Sequence, residues 1–444
     1  MHPSQKPVMI IGGGLAGCEA AWQLTKRGHP VILYEMKPCR FSPAHQSPLL
    51  AELVCSNSLR SNQIDNAVGL LKEEMRVLQS LIMKAADCTS VPAGRALAVD
   101  RSAFSSYIEA KLGNEKLIRI IREEICEIPI DCQTIVASGP LTSSGLAGSI
   151  QLKTGKDYLY FYDAISPIVS GDSIDEASVF RASRYDATDE GDYLNCPLTD
   201  QEYELFYKEL LHTDIVKPHS FEDIHYFEGC LPIEVLARRG MQTLAYGPMK
   251  PVGLVDPKIG NQPYAVVQLR QENRDATLFN IVGFQTRLSW QEQKRIFRLI
   301  PGLQNAEFMR YGSIHRNTFI NAPALLKKTL QLKHDENIFF AGQISGVEGY
   351  VESASMGLMA GLSVAAIRDG KIFQPPPETT AHGALLKHIT GTSRIDFQPM
   401  NVNFGLFPPL VERSRKRDHG KRMAERAMAD IRKWMQNDFS NSYE

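Results

Sequence analysis

An α/β fold is what the chain predicts, on three observations. Val8-Met9-Ile10-Ile11 is a short apolar run of the kind a buried parallel strand needs, and it passes directly into Gly12-Gly13-Gly14-Leu15-Ala16-Gly17 and a helix-forming stretch. A second apolar run, Val31-Ile32-Leu33-Tyr34, follows Gly28 and ends at Glu35, 23 positions past Gly12. Far downstream, Asn337-Ile338-Phe339-Phe340 ends in Ala341-Gly342-Gln343 and leads through Gly346 and Gly349 into a stretch, Val351 to Ala366, rich in Ala, Gly, Met and Ser.

The first two runs form a Rossmann-like unit. Gly12 allows the tight turn, Gly13 continues it, Gly14 lets the backbone approach a pyrophosphate, and Gly17 permits close helix packing. The helix start at Leu15 and Ala16 offers unpaired N–H groups to anionic oxygens, and the Glu35 carboxylate stands where a ribose hydroxyl can be accepted. A strand ending in Ala-Gly before a glycine-punctuated helix is how two-part flavoprotein domains close over their cofactor. Gly342, Gln343 and Gly349 therefore point to FAD rather than NAD as the resident dinucleotide, although the same composition suits plain helix-on-sheet packing. If both segments serve one cofactor, the FAD-binding domain is discontinuous. We assign 1–185 and 294–375 to it, 186–293 to an inserted α/β domain, and 376–444 to a C-terminal helical segment packed on it.

Composition sets outer bounds. At 444 residues the chain exceeds the length at which one hydrophobic core stops growing, and 43% hydrophobic with 22% charged residues is ordinary for a globular protein. A net charge of −1 excludes a generally cationic surface, so any contact with nucleic acid must come from local basic patches. The opening residues lack the pattern of a secretory signal and no continuous apolar run is long enough to span a membrane, so the expected location is cytoplasmic, with no membrane partner. The eight cysteines lack the paired spacing of a zinc site, so no metal is expected. Six of them read as small buried hydrophobes, leaving Cys55 and Cys230.

Ala51-Glu52-Leu53-Val54-Cys55-Ser56-Asn57-Ser58-Leu59-Arg60, Tyr226-Phe227-Glu228-Gly229-Cys230-Leu231-Pro232, Gly247-Pro248-Met249-Lys250-Pro251, His315-Arg316-Asn317-Thr318 and Phe397-Gln398-Pro399-Met400-Asn401 lie in blocks spread over most of the chain. Together they resemble the folate- and FAD-dependent tRNA (uracil-5-)-methyltransferase family, called TrmFO. The resemblance implies a GidA-like FAD-binding fold, methylenetetrahydrofolate as carbon donor, NADH or NADPH as reductant, and 5-methyluridine in the tRNA T loop as product. It implies no obligate protein partner. Arg95 departs from the family pattern, in which a small residue is expected.

Such a reaction needs two groups of opposite duty. Carbon 5 of uracil is not nucleophilic until a thiolate adds to carbon 6, and the proton at carbon 5 must later be removed by a base. Cys230, in a Gly- and Pro-bounded loop, is the expected nucleophile, and Cys55, beside hydroxyl and amide groups and close to Arg60, the expected base, with the roles interchangeable. His315 and Tyr350 are the candidate faces against which folate stacks, while Arg238-Arg239 and the run containing Arg415, Lys416 and Arg417 are the candidate RNA phosphate contacts. Two rival readings share these features. One is the larger GidA-like flavoprotein of wobble-uridine modification, disfavoured because the chain ends soon after the flavin-proximal helix. The other is a flavin-bearing RNA-binding protein with idle cysteines.

Overall fold

The expected strand at the N-terminus forms the centre of a six-stranded sheet. Its order is Gln331–Leu332, Asp335–Phe340, Thr134–Val136, Val8–Ile11, Val31–Tyr34, Ile118–Ile121. All neighbours are parallel except the Gln331–Leu332 edge. A computed structural model describes residues 6–155, 159–184, 191–213, 231–391, 397–410 and 418–439, without the side chains of 159–163, 314–316 and 438–439. Val8, Ile10, Val31 and Leu33, on one face of these strands, are almost wholly buried, while Met9, Ile32 and Tyr34 on the other are half-buried. From Ile11 the chain winds to one side through Val31–Tyr34. After Ile118–Ile121 it crosses to the other side, so the strand order reverses between Val8–Ile11 and Thr134–Val136. A crevice opens at such a switch point, beyond the carboxyl ends of the strands.

Helix Leu15–Thr25 covers one face of this sheet, and helix Tyr350–Arg368 lies against it. The contact is made close by small residues. A Cβ on Gly357 would stand 2.1 Å from the Ala16 carbonyl oxygen, and one on Gly361 would stand 2.9 Å from that of Ala20. Tyr350–Arg368, at 19 residues and mean hydropathy 1.3, is long and apolar enough by composition to cross a bilayer, but 83% of it is buried inside the fold. The glycines and alanines thus mark helix-on-helix packing. Two further helices, Ala381–Thr390 and His419–Phe439, close over the Ala67–Val77 helix. The first is fastened by Glu74, fully buried, whose carboxylate accepts the backbone N–H groups of Ala381 (2.7 Å) and His382 (3.0 Å) and contacts His382 Nδ1 (2.7 Å).

A second six-stranded sheet is antiparallel throughout: Phe180–Ala182, Tyr193–Leu198, Ala265–Gln271, Leu278–Ile281, Ile168–Ser170, Phe308–Arg310. It carries its own apolar core with the helices Asp200–Leu211 and Trp290–Phe297. The sheet reaches past the expected limits of 186 and 293 on both sides. Ile168–Ser170 and Phe308–Arg310, far apart in the chain, pair along one edge. A two-stranded ribbon of Leu159–Ala164 and Ile314–Phe319 joins this unit to the nucleotide-type sheet. Ribbon and edge pairing close a long loop, which no local pattern announces.

The crossing of the two central helices yields a direct test. Gly357→Ala is expected to lower stability by about 1–3 kcal/mol, because its Cβ meets backbone that cannot step aside. Gly113→Ala, at the end of helix Arg101–Gly113 with open space around it, is expected to be neutral or slightly stabilising. Urea unfolding of both variants checks the contrast.

Candidate functional site

The crevice at the switch point is a cleft with about 1060 Å³ of non-atom space, open solvent included. Its floor is the glycine loop. Gly12 adopts φ +108°, and a Cβ there would stand 2.5 Å from the Ala137 carbonyl oxygen, so only glycine makes the turn. A Cβ on Gly17 would stand 1.9 Å from the Gly12 carbonyl oxygen, so glycine there lets the helix sit on the turn. Gly14 differs: nothing lies within 4 Å of its Cβ position, and as the N-cap it leaves the first helical N–H groups without a side-chain cap. An open cradle at a helix N-terminus is what a pyrophosphate requires. Gly12, Gly13, Gly14, Leu15, Ala16, Glu35, Gly342, Gln343 and Tyr350 all line the cleft. The residues present therefore fit a bound dinucleotide.

Glu35 has a second duty that sequence reading missed. Its two carboxylate oxygens accept the backbone N–H groups of Gly13 (2.9 Å) and Lys37 (3.0 Å), so it ties the glycine loop to the end of the second strand. Each oxygen retains a further lone pair for a hydroxyl. Gly349, by contrast, does not line the cleft. It is the N-cap of Tyr350–Arg368, at φ +110°, with Glu352, Arg60 and Asn401 around it. Gly342 packs on Ala16, and Gln343 donates to Glu348 Oε2 at 2.6 Å, which anchors the turn before that helix.

At the cleft's edge, Val54 and Tyr350 lead to Cys55, which is half-buried. The Tyr350 hydroxyl oxygen accepts the N–H groups of Cys55 (2.8 Å) and Ser56 (3.3 Å) and lies 3.0 Å from Cys55 Sγ. A phenol that accepts twice has its own O–H left to donate, and the sulfur is the partner in reach. Burial, and then the charge of Cys55, push the Tyr350 hydroxyl well above its ordinary value of 10, which keeps it a donor.

The segment carrying Cys55 is bracketed by two arginines. Arg101 donates to the carbonyls of Leu53 (2.8 Å) and Val54 (3.3 Å) and pairs at 2.6 Å with Glu272, just past strand Ala265–Gln271 of the second sheet. Arg270, on strand Ala265–Gln271, donates to Ser56 Oγ (2.8 Å) and Asn57 Oδ1 (2.8 Å), while Asn57 donates to the carbonyls of Val99 and Gln271. Burial pushes the Arg270 guanidinium below its ordinary value, against the pull of Glu272. Arg310 donates to the Ala44 carbonyl at 3.0 Å. Burial and Arg101 lower it too, while Tyr350, Glu52 and Cys55 hold it up. Three guanidinium groups and a phenol O–H thus surround the Cys55 segment.

Below this segment, Arg60 adopts φ +61° and pairs with Glu352, whose carboxylate is fully buried and also accepts the Val402 N–H at 3.0 Å. Lys72, also without exposed surface, donates to the carbonyls of Arg60 and Ser61. Burial, then Arg60 and Arg76, push it down to about 7.

The other expected site residues are not gathered here. Cys230, Arg415, Lys416 and Arg417 lie outside the described residues. His315 sits on the joining ribbon opposite Asp163, and two residues beyond it on that strand Asn317 pairs with Phe161; Thr318 donates to the Pro140 carbonyl of the cleft wall at 2.9 Å. Arg238 and Arg239 are exposed at the end of the short Ile233–Ala237 helix. Among the remaining cysteines, Cys18 and Cys196 are buried as expected, but Cys39, Cys88 and Cys126 are exposed, because they fall in loops and at a helix end rather than on core faces. The bracketing arginines and Glu272 had no local signal. Each lies more than 40 residues from the carbonyl or side chain it engages.

The Cys55 environment predicts thiol chemistry. Tyr350→Phe removes the O–H donor, and we expect the pH midpoint of iodoacetamide alkylation at Cys55, read by peptide mass mapping, to rise by about 1–2 pH units. An unchanged midpoint would mean that the hydroxyl does not donate to the sulfur.

A family model described as glucose inhibited division protein A matches residues 7–371. The methylenetetrahydrofolate–tRNA-(uracil-5-)-methyltransferase TrmFO of Syntrophus aciditrophicus (strain SB) is 66% identical over 427 residues, covering 96% of this chain and 97% of that one. The protein of the same name from Geobacter sulfurreducens is 58% identical over 428 residues, covering 96% and 98%. Among solved structures, GidA of Aquifex aeolicus superposes with a TM-score of 0.69 at 17% identity, over 96% of this chain and 73% of that one, a likeness of fold. Match across both sheets, at this identity and length, places the chain in the TrmFO family of GidA-type proteins.

Proposed function

We propose that this protein methylates carbon 5 of the T-loop uridine in tRNA, with methylenetetrahydrofolate as carbon donor, FAD in the cleft and NADH or NADPH as reductant. The observation that carries the reading is the Cys55 thiol beside a dinucleotide-type cleft, in a chain 66% identical to a relative named for this reaction. Bound FAD supplies the reducing equivalents, taken as hydride from NAD(P)H, that turn a methylene-level carbon into a methyl group.

The chain's own residues do the rest. The Cys230 thiolate adds to carbon 6 of the uracil, which moves an electron pair onto the carbon 4 oxygen and makes carbon 5 nucleophilic. Once carbon 5 has gained its new carbon, Cys55 takes the proton from that position, and the electron pair left behind expels the Cys230 sulfur. Tyr350 and the guanidinium groups of Arg101, Arg270 and Arg310 favour the charged sulfur that can accept that proton. The exchange of these two roles between the cysteines is equally compatible with the chemistry. Tyr350 lines the cleft and His315 lies on the ribbon that passes its wall, and we assign both as faces for the folate ring. Arg238 and Arg239, together with Arg415, Lys416 and Arg417, supply phosphate contacts. The domain division that accompanies this reading keeps the FAD domain in two chain segments around the inserted unit.

Incubation of the protein with unmodified tRNA transcript, NADPH and methylenetetrahydrofolate labelled in the methylene carbon is expected to give labelled 5-methyluridine, and Cys55→Ala is expected to abolish it. Label in a wobble-uridine adduct would favour the larger GidA-like reaction instead. Cofactor binding has its own test. Gly14→Val is expected to leave the unfolding midpoint of the apoprotein in place, since no atom lies within 4 Å of the new Cβ, while FAD retained through gel filtration falls at least several-fold.

A further inference from the structure

On the second sheet an aromatic column runs from the core to the surface. Phe297, fully buried, meets Phe308 (centroids 6.4 Å, 35°); Phe308 stacks on Tyr311 (5.4 Å, 10°), and Tyr311 stacks on Trp290 (5.1 Å, 13°). The column ends on the Trp290 indole, which is 66% exposed, an unusual state for so large an apolar ring. Its position is not left to chance. Trp290 is the first residue of the Trp290–Phe297 helix, whose N-cap Ser289 accepts the Glu292 N–H at 3.3 Å. A hollow lined by Arg287, Ser289, Gln291, Gly312 and Ser313 opens beside the ring. One helical turn on, at the i+4 position of the same face, stands the exposed ammonium of Lys294.

The column also connects to the Cys55 site through the chain. Tyr311 directly follows Arg310, the guanidinium that interacts with Tyr350 and Cys55. In the loop that follows strand Leu278–Ile281, the Gln285 carbonyl accepts the Ile233 N–H at 2.7 Å, and Arg287 N–H and Thr286 Oγ1 donate to Glu234, so Ile233 and Glu234 are docked onto the segment that leads to Trp290.

We infer that the exposed indole of Trp290 is a stacking platform for an unpaired nucleobase of the tRNA substrate, with Lys294 meeting the adjoining phosphate. The inference rests on tRNA being the substrate. Three nearly parallel rings, held by a buried fourth, present a flat π-face on which one more ring continues the stack, and every base has such a face. Sequence-specific RNA recognition takes place at loops whose bases are splayed out onto aromatic side chains, with positive charge alongside for the backbone. A uridine presented for reaction must leave its own stack, and an aromatic platform on the same protein holds a neighbouring base while it does.

The test uses the full-length protein with bound FAD and an unmodified tRNA transcript. Trp290→Ala is expected to weaken tRNA binding, read by filter retention, about 5- to 150-fold, the loss of one base–aromatic stack. Trp290→Phe is expected to recover most of it, and NADPH-driven flavin reduction without RNA is expected to be unchanged in both. Wild-type affinity in Trp290→Ala, while wild-type protein methylates tRNA, overturns the platform and leaves the function standing. Absence of both binding and methylation in the wild-type protein overturns both. A changed sedimentation coefficient of Trp290→Ala alone, with tRNA affinity intact, identifies the face as a protein contact and also overturns the proposal.

Discussion

The segment from Leu53 to Asn57 can exist in its observed form only where two separately built sheets meet. Its carbonyls are held by Arg101 from one unit, its side chains by Arg270 from the other, and its N–H groups by the Tyr350 hydroxyl at the head of the long central helix. These bonds answer the backbone polar groups that a half-buried loop would otherwise strand. They also place one sulfur against one phenol with a donor to spare. Without the second unit the loop loses its Arg270 and Gln271 partners, and without the first it loses Arg101, Val99 and Tyr350.

This arrangement is electrostatically expensive. Guanidinium groups at Arg101, Arg270 and Arg310 converge where water is largely excluded, and a buried charge is tolerated only when its donors are spent on acceptors and its charge is balanced. Glu272 supplies balance on one side, being almost wholly buried and paired with Arg101. The carbonyls of Ala44, Leu53 and Val54 absorb further N–H donors. Tyr350 and Cys55 are the further groups that hold the Arg310 guanidinium up against burial. Stability and reactivity at this site are therefore the same set of contacts seen twice.

The long central helix links this centre to the nucleotide-type cleft. Its glycines let it lie on the first helix, its N-cap Gly349 turns the chain so that Tyr350 faces Cys55, and Glu352 in its first turn receives Arg60 from the strand that follows the thiol loop. Cleft and thiol are consequently positioned by one rigid element.

Much of the nucleotide half was legible in the chain because its determinants are local. The strand Val8–Ile11, the turn at Gly12, the open cradle at Gly14 and the close packing at Gly17 each follow from a residue type and its immediate neighbours, and each stands where the pattern puts it. The same local logic singled out Cys55 and Tyr350 without showing that they touch. What only the tertiary structure decided are the long-range pairings: the strands Ile168–Ser170 and Phe308–Arg310 that widen the second sheet, the arginines that bracket the thiol, the second duty of Glu35, and the aromatic column ending at Trp290. The reason is physical. A glycine's conformational freedom or a strand's alternation is paid out within a few residues, whereas a guanidinium chooses its carbonyl, and a ring its neighbour, only after chain closure has brought distant segments within a few ångströms.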